Sequence, residues 1–280
     1  MQVIQKFFHK TLKIPHVLHV GFDKGKRKSP TIVFVHGLGR NNAIWRGVLG
    51  DIASSDVSAR FVGIDLLGFG KSPKPEWQRY DAITQARSLH MTLKIRGVKG
   101  PVTIVGHSLG ALVAVEYARL FPRDTKRIML VSAPLYRSEP GLLLKKFPSP
   151  LFSERIYKSA LRSLRTRQDI IPKLNLYLRK AKFFDKDFVV DDENLLGVVR
   201  SIEMAIENQS AYNHAADLDL PIDFVYGLLD PYIIKKYYRL LARDRENRTV
   251  RAAAGGHELT NSRRLEKAVS DLVIDYLKRD

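Results

Sequence analysis

The residues best suited to chemistry form a glycine-flanked serine, Gly106-His107-Ser108-Leu109-Gly110. The pattern lies between a short apolar stretch, residues 102–105, and a helical stretch, residues 109–120. A strand that turns straight into a helix at a serine holds that serine in a strained backbone state, and the residues two positions away must be glycine to avoid collision. The start of the helix also directs backbone N–H groups at negative charge beside the hydroxyl. The pattern predicts a nucleophilic serine at position 108, and a glycine-flanked turn without chemistry is the less favoured interpretation.

A serine hydroxyl is a poor nucleophile at neutral pH and needs a positioned base, which a third group orients. Of the eight histidines, His257 is the best placed, because Gly255-Gly256-His257 follows the last predicted strand, residues 249–253. A loop at that edge of a sheet can bring the imidazole over Ser108. We therefore predict His257 as the base.

The acid should lie on another loop at the same sheet edge, ahead of His257 in the chain. Asp230 meets this requirement, because it follows an apolar predicted strand, residues 222–226. The aspartates that precede this strand should fall at its far end, away from Ser108; they are Asp217, Asp219 and Asp223. Asp230 also stands before a proline and a predicted helix, so it could serve as a helix N-cap as well.

Hydrolysis of a carbonyl compound also requires two N–H donors where negative charge develops on the carbonyl oxygen. Leu109, next after the serine, supplies one backbone N–H. The loop His36-Gly37-Leu38-Gly39 follows the predicted strand 31–35, and its glycines allow the N–H of Leu38 to supply the other. We predict Leu38 and Leu109 as the oxyanion hole.

Positioning these residues requires an α/β architecture. Short, fully apolar strands alternate with helical stretches, which indicates a mostly parallel central sheet covered by helices on both faces. The alternation breaks between about Pro134 and Asn213, where the segments are helix-like and rich in Leu, Tyr, Lys and Arg. We predict a core of residues 1–133 and 214–280 with an inserted, mostly helical cap, residues 134–213. The predicted strands are residues 16–22, 31–35, 61–65, 102–105, 127–132, 222–226 and 249–253.

The N-terminal stretch is amphipathic. Apolar residues recur close to helical spacing among basic ones, which predicts a short helix over residues 3–14. The favoured interpretation is a terminal helix docked on the body of the protein. A membrane-surface anchor is the alternative.

Composition limits the classes of protein that remain. The chain has 280 residues and no cysteine, which excludes disulfides, thiolate metal sites and a cysteine nucleophile. No apolar run approaches the length of a membrane span, and the start lacks the apolar core of a secretory signal, so we expect a soluble, cytoplasmic protein. A net charge of +18 attracts anionic partners. Nucleic acid is not expected among them, because no recognisable binding module with interleaved aromatic and basic residues accompanies the charge.

These motifs together resemble the α/β-hydrolase fold family. The resemblance rests on H-G-L-G at residues 36–39, D-L-L-G-F-G-K-S at residues 65–72, G-H-S-L-G, and then an acid and G-G-H in the order Ser, Asp, His. It implies a catalytic triad of Ser108, Asp230 and His257, an oxyanion hole at Leu38 and Leu109, a helical cap at the insertion, and neither cofactor nor metal. Some members carry the acid after the strand that precedes the cap, but residues 131–134 here contain no carboxylate.

The resemblance implies a serine hydrolase that cleaves carboxylic esters through an acyl-enzyme intermediate, with a small-molecule ester as substrate. Serine at position 108 argues against haloalkane dehalogenases and epoxide hydrolases, which use aspartate there. C–C bond hydrolases of the meta-cleavage-product type share the D-x-x-G-F-G-x-S stretch, and Arg40-Asn41-Asn42 near the oxyanion loop keeps them as an alternative. They usually carry a small polar residue before the serine and tryptophan after the histidine, where this chain has His107 and Glu258. A non-catalytic binding protein of the same fold is a third interpretation.

Charge is concentrated in the predicted cap. Residues 136–186 hold 13 Lys and Arg against four acidic residues, a net of +9. A solvated helical surface is the ordinary explanation of such a stretch. The alternative is that the cap steers an anionic ester, or an acyl ester linked to a carrier protein, toward Ser108. Esterases that act on pimeloyl-carrier-protein methyl esters resemble this chain in fold and use a basic cap in that way.

Overall fold

The computed structural model describes residues 6–136 and 190–279. Within them seven strands form a single sheet in the order β1-β3-β2-β4-β5-β6-β7, in which β1 pairs antiparallel with β3 and every other pair is parallel. This confirms the predicted mostly parallel sheet. The strands are β1 (Val20–Lys24), β2 (Thr31–Val35), β3 (Arg60–Ile64), β4 (Val102–His107), β5 (Thr125–Val131), β6 (Ile222–Gly227) and β7 (Arg248–Ala253).

Seven α-helices occur in the described residues. The predicted helix at residues 109–120 has the bounds that the sequence indicated. The helices are α1 (Arg46–Ala53), α2 (Ala82–Ile95), α3 (Leu109–Leu120), α4 (Leu195–Ser201), α5 (Ala211–Asp217), α6 (Lys235–Ala242) and α7 (Arg263–Arg279).

Two apolar layers cover the sheet, as the fully apolar strands require. In β2, Ile32 and Phe34 belong to the layer that packs on α1 and α7, whereas Val33 and Val35 belong to the layer that packs on α2 and α3. Successive side chains of a strand point to opposite faces, so a strand that is apolar at every position is covered on both. The two layers hold the central strands rigidly and fix where their ends lie.

The parallel strands place their C-terminal ends at one edge of the sheet, called here the carboxyl edge. Ligands of open α/β sheets bind outside this edge. The loops that follow β2, β4, β6 and β7 all leave the sheet there, and these loops carry the four predicted motifs. Because β1 runs antiparallel, with Val20 paired to Ile64 at the end of β3, the chain that precedes β1 also lies at this edge.

Most of the predicted cap, residues 137–189, lies outside the described residues, so the cap stays a prediction. The described C-terminal part of the insertion is helical, with α4, a π-helical turn at Ile202–Glu207 and α5. It contacts the core close to the loop after β3, since a Cβ atom on Gly197 would lie 2.9 Å from the carbonyl oxygen of Gly68.

The N-terminal stretch differs from the docked helix that was favoured from its sequence. The structure has a five-residue π-helical turn at Phe7–Thr11, and none of its residues is buried. Residues 3–5 of the predicted helix lie outside the described residues, and in the described part Phe7, Phe8 and Leu12 are exposed instead of docked.

No helix among the described residues is long and apolar enough to cross a membrane.

Candidate active site

The backbone at Ser108 is strained as the motif predicts. Ser108 lies between β4 and α3 with φ 51° and ψ −115°, in the region that residues with a Cβ atom rarely adopt. A Cβ atom on Gly106 would lie 2.4 Å from the carbonyl oxygen of Gly110, and one on Gly110 would lie 2.3 Å from that of Val35. The two glycines therefore let the turn form against the end of β2, and the turn lifts the hydroxyl to the carboxyl edge.

Three side chains from three loops form one hydrogen-bonded line. His257 Nε2 lies 2.9 Å from Ser108 Oγ, and His257 Nδ1 lies 2.9 Å from Asp230 Oδ2. All three residues are buried. With Asp230 as a carboxylate, Nδ1 carries the proton and Nε2 is left with a lone pair that accepts the serine proton.

The Asp230 carboxylate is held by its own loop. Its other oxygen, Oδ1, accepts a hydrogen bond of 2.8 Å from the backbone N–H of Tyr232. The same loop is joined to the loop after β7, because the N–H of Leu229 donates to the carbonyl oxygen of Gly255 at 2.9 Å. Helix α6 begins only at Lys235 and its N-cap is Ile234, so Asp230 does not cap it.

The charges of Asp230 and His257 reinforce one another. Burial by itself would lower the pKa of His257, but the charge and hydrogen bond of Asp230 outweigh it and raise that pKa above its ordinary value. Burial by itself would raise the pKa of Asp230, but the charge and hydrogen bond of His257 lower it instead. The pair therefore favours an imidazolium beside a carboxylate, which is the state that forms when the imidazole takes a proton from serine.

His107 has a part that the sequence did not reveal. Its Nε2 donates a 2.9 Å hydrogen bond to the backbone carbonyl oxygen of His257, which anchors the histidine loop to the end of β4. Burial in the first place, and then the positive charge of His257, lower the pKa of His107 to about 3, so its ring stays neutral. The signal that could have revealed this role is a polar ring at the end of an otherwise mostly apolar strand, because a buried ring nitrogen needs a hydrogen-bond partner.

The predicted oxyanion loop packs directly against the nucleophile. A Cβ atom on Gly37 would lie 2.9 Å from Nδ1 of the buried His107 ring and 3.1 Å from Ser108 Cβ, so a side chain there would force the ring to move. His36 fixes the loop from behind: its Nδ1 lies 2.7 Å from the carbonyl oxygen of Gly37, and its Nε2 accepts from the N–H of Leu66 at 2.8 Å. Leu38 follows on this loop and Leu109 begins α3, so the two predicted donors lie on the segments that flank Ser108.

Asp65 holds the next loop of the carboxyl edge in place. Its carboxylate accepts hydrogen bonds from the N–H of Asn42 at 2.8 Å, from Asn42 Nδ2 at 2.6 Å and from the N–H of Lys71 at 3.0 Å. Through Asp65, the D-L-L-G-F-G-K-S stretch therefore connects the loop after β3 to the loop after β2. Both the backbone N–H and the side-chain amide of Asn42 take part in this connection.

A buried ion pair joins the oxyanion loop to the histidine loop. Arg40 NH2 lies 3.1 Å from Glu258 Oε2, and both side chains are at most 10% exposed. Arg40 comes directly after the oxyanion loop and Glu258 directly after His257. Glu258 raises the pKa of His257, and Arg40 lowers it.

This ion pair gives a test of the charge around the base. Because His257 must be neutral to accept a proton, kcat/KM should rise with pH through the raised pKa of His257, with a midpoint above about 6.5. Glu258→Gln should move the midpoint to lower pH, since it removes a charge that favours the imidazolium. Arg40→Gln should move it up.

The measurement is the pH profile of ester hydrolysis for the three proteins, from pH 5 to 9. Midpoints that move in the same direction in both variants would show that packing, and not charge, links the pair to His257.

The aspartates that were set aside lie where the sequence placed them. Asp223 is the second residue of β6, at the edge opposite Ser108, and its carboxylate accepts from Arg127 and from Thr249 Oγ1, each at 2.5 Å. Asp219 lies before β6 with its side chain 94% exposed. Neither reaches the carboxyl edge.

Comparisons with known proteins give relatives for the sequence and for the fold. A family model described as the alpha/beta hydrolase fold matches residues 30–260. An uncharacterized protein of Mycobacterium tuberculosis is 36% identical over 127 residues, which are 45% of this chain and 35% of that protein. Lipase 1 of Psychrobacter immobilis is 30% identical over 143 residues, which are 49% of this chain and 44% of the lipase. The chain thus spans less than half the length of these curated relatives.

Among solved structures, a thermophilic esterase from Thermogutta terrifontis superimposes with a TM-score of 0.70 at 17% identity. The superposition covers 94% of this chain and 93% of the esterase. At this identity the likeness is one of fold.

Proposed function

The chain belongs to the α/β-hydrolase fold family, and on that premise we propose that it is a serine hydrolase that cleaves carboxylic esters through an acyl-enzyme intermediate. The observation that carries the proposal is the hydrogen-bonded line from Ser108 through His257 to Asp230. The similarity to Lipase 1 of Psychrobacter immobilis supports an ester as the substrate. A cytoplasmic location stays a prediction.

Acylation begins at the serine. Ser108 Oγ attacks the acyl carbon while His257 Nε2, 2.9 Å away, takes its proton. Asp230 keeps the imidazole in the tautomer that accepts at Nε2 and stabilises the imidazolium. The N–H groups of Leu38 and Leu109 stabilise the oxyanion, and α3 adds the positive end of its dipole at that point.

The imidazolium then gives its proton to the leaving alcohol, which leaves the acyl group on Ser108. Water attacks this ester with His257 again as base, and the acid is released. In this cycle Asp230 holds the buried ring at Nδ1, and His107 holds the backbone of His257 at its carbonyl oxygen. Holding the ring this way keeps the reacting atoms close without a cost in entropy at the moment of reaction.

The experiment that tests the proposal is hydrolysis of nitrophenyl esters of increasing acyl length, together with labelling by an organophosphonate. We expect turnover with a release of nitrophenol that precedes the steady state, and one phosphonate per chain, attached at Ser108. A vinylogous diketone offered beside the aryl ester tests cleavage of a C–C bond. Labelling at another residue, or preference for the diketone, would overturn the proposal.

The Arg40-Asn41-Asn42 stretch, which kept C–C bond hydrolysis as an alternative, has side-chain contacts in the structure that do not support this alternative. Arg40 pairs with Glu258, Asn42 binds Asp65, and Asn41 Oδ1 accepts from the N–H of Ala43 at 2.9 Å. Arg40 and Asn42 thus join neighbouring loops of the carboxyl edge, and Asn41 caps the turn that follows it.

The basic cap segment leads to a prediction on salt. If residues 136–186 steer an anionic ester to Ser108, kcat/KM for that ester should fall steeply between about 0.01 and 0.5 M salt, as the Debye length shrinks from roughly 30 Å to a few Å. A neutral ester of similar size should change little. Replacing Arg162, Arg165 and Arg167 together by Gln should lower kcat/KM for the anionic ester at low salt. An equal response of both esters would leave the charge without a catalytic role.

A further inference from the structure

The N-terminal segment, residues 6–17, leaves an unusual amount of apolar surface uncovered. Five of its side chains are exposed: Phe7 52%, Phe8 43%, Leu12 51%, Ile14 39% and Val17 48%. Single exposed apolar residues are ordinary on proteins, whereas a contiguous group marks an interaction site. Among the described residues, only three other large apolar side chains are exposed; they are Ile95, Leu228 and Leu229.

Basic residues alternate with these apolar ones. Lys6, Lys10 and Lys13 are exposed, and residues 1–22 contain no aspartate or glutamate. A segment with apolar and cationic side chains and no anionic ones is complementary to a surface with an apolar interior and anionic headgroups. A protein partner with a matching groove would need no such excess of one charge.

The segment is attached through its polar groups. The rings of His9 and His16 stack with centroids 3.6 Å apart, and His9 Nδ1 lies 2.7 Å from the carbonyl oxygen of Ile14. His16 is buried and contacts Gln78, Nε2 to Nε2 at 3.1 Å. The histidines therefore fix the segment to the loop after β3, and the aromatic and aliphatic side chains stay in solvent.

The exposed apolar residues lie at the edge that carries the candidate active site. The segment leads into β1, whose first residue pairs with the last residue of β3 at the carboxyl edge. Leu228 and Leu229 are at the same edge, directly after β6 and before Asp230. Ile95 is at the opposite edge, since the carbonyl oxygen of Arg96 accepts from Arg60 at the start of β3.

We propose that residues 6–17 bind the surface of anionic phospholipid bilayers and thereby orient the carboxyl edge toward the lipid. Phe7, Phe8 and Leu12 insert among the acyl chains, and the three lysines contact the headgroups. The functional consequence of this orientation rests on the proposed esterase activity: esters dissolved in the bilayer then reach Ser108. The binding itself is independent of catalysis.

Binding is measured by co-sedimentation of the full chain carrying Ser108→Ala with vesicles of phosphatidylcholine, with or without phosphatidylglycerol. One variant removes the apolar side chains (Phe7→Ser, Phe8→Ser, Leu12→Ser) and another the charges (Lys6→Gln, Lys10→Gln, Lys13→Gln). Ile95→Ser is the control for an exposed apolar residue. Lys26→Gln, Arg27→Gln and Lys28→Gln is the control for charge, because these exposed residues lie in the β1–β2 turn at the opposite edge.

We expect tight binding only to the vesicles that contain phosphatidylglycerol. The apolar variant should lose it, and the lysine variant should bind about 100-fold more weakly, since each cation near an anionic surface contributes a factor of about five. Both controls should bind like the parent. Unaltered binding in the N-terminal variants, or an equal loss in the charge control, would overturn the proposal.

Two further readouts separate the alternatives. Gel filtration of the parent and the apolar variant tests a second copy of the chain as the occupant, and a dimer that the apolar variant abolishes would also overturn the proposal. Hydrolysis of a water-soluble nitrophenyl ester by chains with Ser108 intact should be equal with and without the N-terminal substitutions. Vesicle binding by the parent chain without hydrolysis of any nitrophenyl ester would count against the proposed function alone.

Discussion

Replacing Ser108 by alanine should lower kcat for ester hydrolysis by a factor of about 10⁶, because the hydroxyl is the attacking group. The protein should stay folded. Alanine keeps the Cβ atom of serine, so the strained turn at φ 51° has the same steric demands. The measurement is steady-state kinetics on a nitrophenyl ester beside a thermal unfolding curve, with Ser88→Ala as a matched change in a buried serine of α2.

The double variant Ser108→Ala, His257→Ala examines whether the two residues act as one unit. The imidazole acts on the serine hydroxyl at 2.9 Å, so removing it after the hydroxyl has gone should cost little more. Losses that multiply across the two substitutions would show that the residues act separately, and the triad assignment would be abandoned.

Asp230→Asn should lower kcat by roughly 10³- to 10⁴-fold while KM changes little. An amide in the place of the carboxylate offers an N–H to Nδ1 and favours the tautomer that has its proton on Nε2, which faces Ser108. The substitution also removes the anionic partner of the imidazolium. In the parent protein the charge of Asp230 raises the pKa of His257, so the variant should have a lower pKa at His257. The acid limb of the pH profile should accordingly move to lower pH as the rate falls.

Asp219→Asn is the matched control for this change. Asp219 belongs to the same segment of the chain, precedes β6 and is almost fully exposed, so its replacement should leave kcat within about twofold of the parent, as is usual for surface substitutions. If Asp230→Asn retains most activity and another aspartate does not, the acid has been assigned to the wrong carboxylate.

The fold class and the loops that carry the candidate site could be predicted from residue types and their order along the chain. The strained turn at Ser108 requires Gly106 because of a contact within the turn, with the carbonyl oxygen of Gly110, and such a local steric demand appears directly as a residue type. The fully apolar strands predicted a sheet covered on both faces, and the parallel order then required their loops to meet at one edge. Ser108, Asp230 and His257 could therefore be chosen from their positions after strands.

Tertiary structure alone decided which groups hold these residues. His107 and His257 are 150 residues apart, and Arg40 meets Glu258 only because the loops after β2 and β7 converge over the end of β4. The same holds for the N-terminal segment, where helical spacing predicted a docked face and the structure leaves Phe7, Phe8 and Leu12 exposed. Spacing along the chain records which side chains share one face of an element. Whether another element covers that face depends on distant segments, whose arrangement is set by the packing of the whole sheet.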